Sequence, residues 1–156
     1  MFSGSDGGAI HQEKGGLTVN NGKFNSNSAT DGNVRSRQKV MSPAFTIPHS
    51  IVLQGGAISS VTDVTVNNAP FNTNSASKNG GGIYSAATVT VLDIPFNSNT
   101  AGQSGGAIAA LGSVSVTNDP FSSNTAGQNG GAVYVNNPSS ATSVTNSSFD
   151  SNKGTL

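Results

Sequence analysis

The 156 residues carry seven basic and seven acidic side chains, a formal net charge of zero. That balance leaves no electrostatic footprint for nucleic acid or an anionic membrane surface. The chain has no cysteine, which excludes a disulfide scaffold. Gly, Asn, Ser and Thr make up 77 of the 156 residues, a composition of turn and ladder formers.

In chain order, Met1-Phe2-Ser3-Gly4-Ser5 does not read as a signal peptide. It reads as the tail of a coil, a degenerate Phe-x-x-Asn with Ser5 in the last place. Gly7-Gly8-Ala9-Ile10 then opens a unit that runs through Leu17-Thr18-Val19 and closes at Phe24-Asn25-Ser26-Asn27. The same order recurs from Gly55. The glycine pairs are Gly7-Gly8, Gly55-Gly56, Gly80-Gly81, Gly105-Gly106 and Gly130-Gly131, each followed by a small residue and then Ile or Val. The closing Phe-x-x-Asn stands at Phe24, Phe71, Phe96, Phe121 and Phe149, with Asn27, Asn74, Asn99, Asn124 and Asn152 in its last place. From Gly55 the glycine spacing is 25 residues throughout, and from Phe71 the Phe spacing is 25, 25 and 28. A fixed period of this size is the signature of stacked repeats.

Between the two marks lie Val64-Thr65-Val66, Val89-Thr90-Val91 and Val114-Ser115-Val116, apolar and hydroxyl residues alternating with the period of a strand. No helical apolar stripe is present. One such unit is too small to bury its own apolar face. Stacking identical units, each strand parallel to and in register with its counterpart about 4.8 Å away, buries it. The expected fold is all-β: a right-handed parallel β-helix of about six coils with a period near 25 residues, right-handed because parallel crossovers are.

The columns then follow. Ile10, Ile58, Ile83, Ile108 and Val133 should stack in the core, with the paired valines on the next wall. The five phenylalanines should form an aromatic ladder, and the five asparagines an amide ladder that meets backbone groups freed at a bend. The glycine pairs supply φ > 0 or close backbone approach at a corner. Pro70, Pro95 and Pro120, directly before Phe, enter a bend where the missing N–H costs little. Tyr84 and Tyr134 follow the core aliphatic and should face outward. Thr18, Thr65, Thr90, Ser115 and Ser143 form an outward hydroxyl column, but the two aligned Thr per coil of an ice-binding face occur only at Thr88 and Thr90.

One interval breaks the rhythm. Gly7 to Gly55 spans 48 residues and Phe24 to Phe71 spans 47, with no second copy of either mark between. Arg35, Arg37, Lys39 and His49 lie here, and Phe45-Thr46-Ile47-Pro48 is a distant candidate for a degenerate coil. A native corner loop is a second reading. Removing Asn33 through Gly55 gives FNSNSATDGGAI at the join and restores spacings of 24 and 25, so residues 33–54 are read as an irregular insertion that adds no coil. The domain call is a single β-helical segment over 1–156, expected to be part of a longer array.

The pairing of GGA[IV] with FxxN resembles the repeats of the chlamydial polymorphic outer membrane proteins. The motifs here are GGAI at Gly7, Gly55 and Gly105, GGGI at Gly80, GGAV at Gly130, FNSN or FNTN at Phe24, Phe71 and Phe96, FSSN at Phe121 and FDSN at Phe149. The resemblance implies a β-helical passenger of an autotransporter-type outer-membrane protein, exposed at the cell surface or extracellular, with an adhesin role. Its partner would be a host or neighbouring-cell surface protein or glycan, with no nucleic acid and no direct membrane insertion of this segment.

The chemistry-bearing residues are sparse. Asp63, Asp93 and Asp119 stand 8, 3 and 2 residues before their Phe, so they do not share a column as a catalytic pair or a calcium site would require. No GGxGxD repeat occurs. His11 and His49 are isolated, and the glycine pairs lack the strand–loop–helix setting of a phosphate loop. The reading is therefore a non-enzymatic module without cofactor, metal or catalytic residues. A β-helical carbohydrate-active enzyme and a structural spacer are the alternatives.

Overall fold

A computed structural model of the chain describes residues 3–4, 8–30, 55–137 and 139–155. Gly7, the proposed insertion at 33–54 with Arg35, Arg37, Lys39, Phe45, Ile47 and His49, and the side chains of the first seven residues lie outside the described residues.

The fold is an all-β parallel solenoid. Each coil contributes four short strands, which in one central coil are Ile83–Ser85, Val89–Leu92, Phe96–Asn97 and Thr100–Ala101. Every strand pairs in parallel with its counterpart in each neighbouring coil described, so the four strand positions generate four walls. The register is the sequence period made physical: Ile83 faces Ile58 and Ile108, Val91 faces Val66 and Val116, and Phe96 faces Phe71 and Phe121.

Three walls are five strands deep, so the path from Ile10 to Val133 makes four turns. The count is about four turns, not the six expected, because partial coils at the two ends do not complete an inward face. The coils on either side of the long interval are direct neighbours: Ile10 pairs with Ile58, Val19 with Val66, Phe24 with Phe71 and Ser28 with Ser75.

Alternation decides what is buried. Val64, Val66, Val89, Val91, Val114 and Val116 point inward and are all but inaccessible, while Thr65, Thr90 and Ser115 between them keep contact with solvent. Phe71, Phe96 and Phe121 are fully buried beside them. The coil rise stacks the five Phe rings at centroid distances of 4.6, 5.0, 4.7 and 4.7 Å with interplanar angles of 17° or less. Full burial of one such ring is worth roughly 1.5–3 kcal/mol, and each aromatic neighbour adds about 0.5–1.5 kcal/mol. In the last coil no further strand covers the columns among the described residues. Val144 is 49% and Phe149 47% exposed there.

One expected face is different. Tyr84, Ser59 and Ala109 point away from the core, yet they are buried. The turn through the first glycine of each pair folds back over this wall. A Cβ on Gly80 would lie 2.9 Å from Tyr84 N, and one on Gly105 would lie 2.8 Å from Ala109 Cβ. Tyr84 is therefore covered, and burial pushes its phenol above the ordinary range. Tyr134 stays half-exposed and donates to Asn136 Oδ1 at 3.0 Å.

Candidate functional site

The repeat motif builds one corner of every coil. After each Phe, the third residue of the motif turns the chain through left-handed backbone. Ser26, Thr73, Ser98, Ser123 and Ser151 all have φ of 53–56°, a conformation costing roughly 1–2 kcal/mol for a residue with a Cβ. The turn swings the following Asn inward. Asn74, Asn99 and Asn124 are completely buried, and Asn27 nearly so.

The amides of Asn74, Asn99 and Asn124 are each satisfied at every valence. Asn99 Oδ1 accepts the backbone N–H of Asn74 at 3.0 Å and its Nδ2 at 2.9 Å. Asn99 Nδ2 in turn donates to Asn124 Oδ1 and to the Phe71 carbonyl, both at 3.0 Å. Asn27 and Asn152 terminate the same ladder, Asn27 donating to Asn74 Oδ1 and Asn152 accepting from Asn124. Only an amide offers two donors and two acceptors in one plane.

The glycine pair answers two separate constraints. The first position adopts positive φ, 65° at Gly80, 69° at Gly105 and 61° at Gly130. The second is closed to any side chain by close packing. A Cβ on Gly106 would lie 2.7 Å from Thr125 N, with the Gly131 carbonyl oxygen closer still; Gly8, Gly56, Gly81 and Gly131 are equally crowded. Gly55 is closed by the Ile58 carbonyl.

A second ladder runs along the outer corner, and the motif reading overlooked it. Asn21, Asn68, Asp93, Asn118 and Asn146 stand three residues before each Phe and share φ of 50–58°. Asn68 donates to Asn21 Oδ1, Asn118 to Asp93 Oδ1 and Asn146 to Asn118 Oδ1. Shorter amide ladders flank it, Asn67 to Asn20 and Asn97 through Asn72 to Asn25. At the last described coil, where Val144 is the uncovered rung of the inward valine column, a shallow open depression is lined by Asp93, Asn118, Pro120, Val144, Asn146, Ser147 and Ser148.

Asp119 lies beneath that corner and is wholly buried. Desolvation pushes its carboxyl up to about 6. The amides of Ile94 and Thr117 oppose the rise and the nearby Asp93 adds to it. Asp93 and Asp119 occupy adjacent columns of adjacent coils rather than one column. Asp119 Oδ1 accepts from Ile94 N at 2.6 Å and Oδ2 from Thr117 N at 3.0 Å, so both oxygens hold backbone donors. Its chemistry here is that of a bend clamp.

The remaining candidates stay apart. His11 Nε2 lies 3.4 Å from Glu13 Oε1 on the same strand end. Asp63 Oδ1 accepts from Thr88 N at a different corner. Among the described residues no three His, Cys, Asp or Glu side chains gather around one point.

These features define a class: a parallel β-solenoid whose coils are copies of one unit, with a Phe–Asn corner and a glycine-pair turn. The unit has a known counterpart. Residues 121–136, from Phe121 through the Val133–Val135 strand, match the Chlamydia polymorphic membrane protein repeat. The match covers one unit of the solenoid, and the other coils carry the same Phe–Asn and glycine-pair marks. No curated protein and no solved structure matches the chain.

Proposed function

We propose that this β-helix is a segment of a cell-surface passenger, displayed by an autotransporter-type outer-membrane protein, and that it serves adhesion rather than catalysis. The observation that carries the reading is the repeat match at 121–136, which falls on the structural unit that also forms residues 71–86 and 96–111. A rigid stack of this kind presents long outer walls and corner ladders to the surroundings while its core stays constant. The non-enzymatic part of the reading is supported by Asp119, the most perturbed acid described, whose oxygens are occupied by backbone amides.

The test has two arms. Intact cells expressing the native gene are treated with an impermeant protease and probed with an antibody against this segment. The recombinant chain, coated on beads, is tested for attachment to cells. Loss of the segment from intact cells together with bead attachment is the expected result. A segment protected until the cells are lysed would overturn surface display, and inert beads would leave a structural spacer as the better account.

A further inference from the structure

One backbone amide beside the outer ladder is left open. Asn21, Asn68, Asp93 and Asn118 hold the same left-handed corner, and each gives its N–H to a carbonyl of the following coil, at Asn67, Leu92, Thr117 and Thr145. The next amide along the chain also faces the following coil, where only a side chain can receive it. Ile94 N donates to Asp119 Oδ1, and Asp119 N donates to Ser147 Oγ. Gly22 meets Ala69 at the same place in the register, and a methyl group accepts nothing. Gly22 N therefore forms no hydrogen bond among the described residues, and Gly22 keeps contact with solvent.

The residue before that amide is Asn21, exposed, with its Oδ1 accepting from Asn68 Nδ2 at 2.8 Å. The bond draws electron density from the side-chain carbonyl and makes Cγ a better electrophile. Asn21 holds φ at 55°, a left-handed conformation that strains any residue with a Cβ. Gly22 has no Cβ to resist the rotation that brings its nitrogen onto Cγ. We propose that Asn21–Gly22 is a site of spontaneous deamidation, which turns this rung of the outer ladder acidic. The Gly22 nitrogen gives its proton to water and bonds to Asn21 Cγ; the Cγ–Nδ2 bond breaks, and Nδ2 takes a proton back and leaves as ammonia. Water then opens the cyclic imide, at Cγ to give aspartate or at the main-chain carbonyl to give isoaspartate. The aspartate product has a precedent in the same ladder: Asp93 Oδ1 accepts from Asn118 as Asn21 Oδ1 accepts from Asn68. Asn79–Gly80 is the same dipeptide held shut. Gly80 N donates to the Ser104 carbonyl, and Asn79 Oδ1 accepts from Ser104 N, both at 3.0 Å.

The experiment is a timed incubation of the folded full chain at mildly alkaline pH. Digestion and mass spectrometry then score aspartate and isoaspartate in the peptides that hold Asn21 and Asn79. Asn21 should deamidate at least about tenfold faster than Asn79, because a hydrogen bond on the attacking nitrogen is worth about that factor in rate. In the urea-unfolded chain these two Asn-Gly pairs should react at similar rates. Ala69→Ser sets a hydroxyl where Ser147 serves Asp119 N in the later coil. It should slow Asn21 about tenfold in the folded chain and leave the unfolded rate unchanged. Gly22→Ala, which copies the residue at Ala69, should slow the reaction in both states. Far-UV dichroism establishes that each variant is folded, and if Ala69→Ser does not fold, the folded and unfolded rates of the parent decide. Equal rates at Asn21 and Asn79 in the folded parent, or an unchanged Asn21 rate in folded Ala69→Ser, overturn the proposal.

Discussion

Asn99 and Asn124 are joined through a single atom: Asn124 Oδ1 accepts both the backbone N–H and the side-chain Nδ2 of Asn99, each at 3.0 Å. The same bidentate join links Asn27 to Asn74, Asn74 to Asn99 and Asn124 to Asn152. Asn99→Leu would leave the Asn74 donors, Asn124 Oδ1 and the Phe71 carbonyl short of partners inside a water-free corner. The expected cost is ~1–3 kcal/mol despite the more apolar side chain. Asn99→Asp should also destabilise, because a carboxylate accepts from Asn74 but cannot donate to Asn124. Urea unfolding checks both, and a stabilised Asn99→Leu protein would mean that the ladder is not a buried one.

The ring column makes a matched prediction about inside and outside. Phe96 is fully buried between Phe71 and Phe121, at 5.0 and 4.7 Å. Phe96→Ala should cost ~3–5 kcal/mol through lost burial and a residual cavity. Thr90→Ala, on the outer face of the same coil, should stay within about 0.5 kcal/mol. Equal shifts in the two urea midpoints would reject the assignment of these columns.

Close backbone approach makes the glycine pair intolerant of substitution. Gly106→Ala forces a methyl against the backbone of Thr125 and Gly131, and more than about 3 kcal/mol of stability should be lost. Gly16→Ala, with nothing within 4 Å of the added carbon, should change stability by less than about 0.5 kcal/mol. Thermal melts of the pair decide it. A folded Gly106→Ala protein with an unchanged melting temperature would mean that the coils are spaced more widely than described.

Asp119 gives the molecule a pH dependence of definite sign. A carboxyl whose folded pKa, about 6, lies above its ordinary 3.8 binds its proton more tightly in the folded state. Its contribution is full below 3.8 and is lost as pH rises through 6. Stability should therefore fall by about 1–3 kcal/mol between roughly pH 4 and pH 7, and Asp119→Asn should flatten that slope whatever its effect on stability at one pH. Denaturant titrations at a series of pH values test this. A slope unchanged in Asp119→Asn would place the titrating group elsewhere.

How much of this was legible in the sequence depends on whether a residue repeats and whether its partner is visible. The Ile, Val, Phe and inner Asn columns were readable because each recurs at a fixed place, and a recurring apolar residue in a small unit has to face the shared core. The outer ladder at Asn21, Asn68, Asp93, Asn118 and Asn146 recurs as faithfully. It was missed because Asx before a turn reads as ordinary turn chemistry, and because one rung is an aspartate. The covered position of Tyr84 could not be read from alternation, which distinguishes inward from outward but says nothing about a neighbouring turn folding over the outward side. The coupling of Asp93 to Asp119 was hidden for a related reason. Counting residues back from Phe separates their columns but does not show that those columns are adjacent. The coil count was overestimated because motif fragments at the ends were counted like complete turns.

The central claim is that the coils stack in register across the long interval, so that residues 47 apart in sequence are nearest neighbours. Ser26 Oγ and Thr73 Oγ1 lie 3.0 Å apart, and the chain contains no other cysteine to confuse a cross-link. In Ser26→Cys/Thr73→Cys, adjacent strands separated by about 4.8 Å suit disulfide geometry. Mild oxidation should give a quantitative intramolecular disulfide, seen as a mass loss of two hydrogens, with the β-sheet dichroism retained. Free thiols after oxidation of the folded protein, or exclusively intermolecular cross-links, would contradict the stacked arrangement.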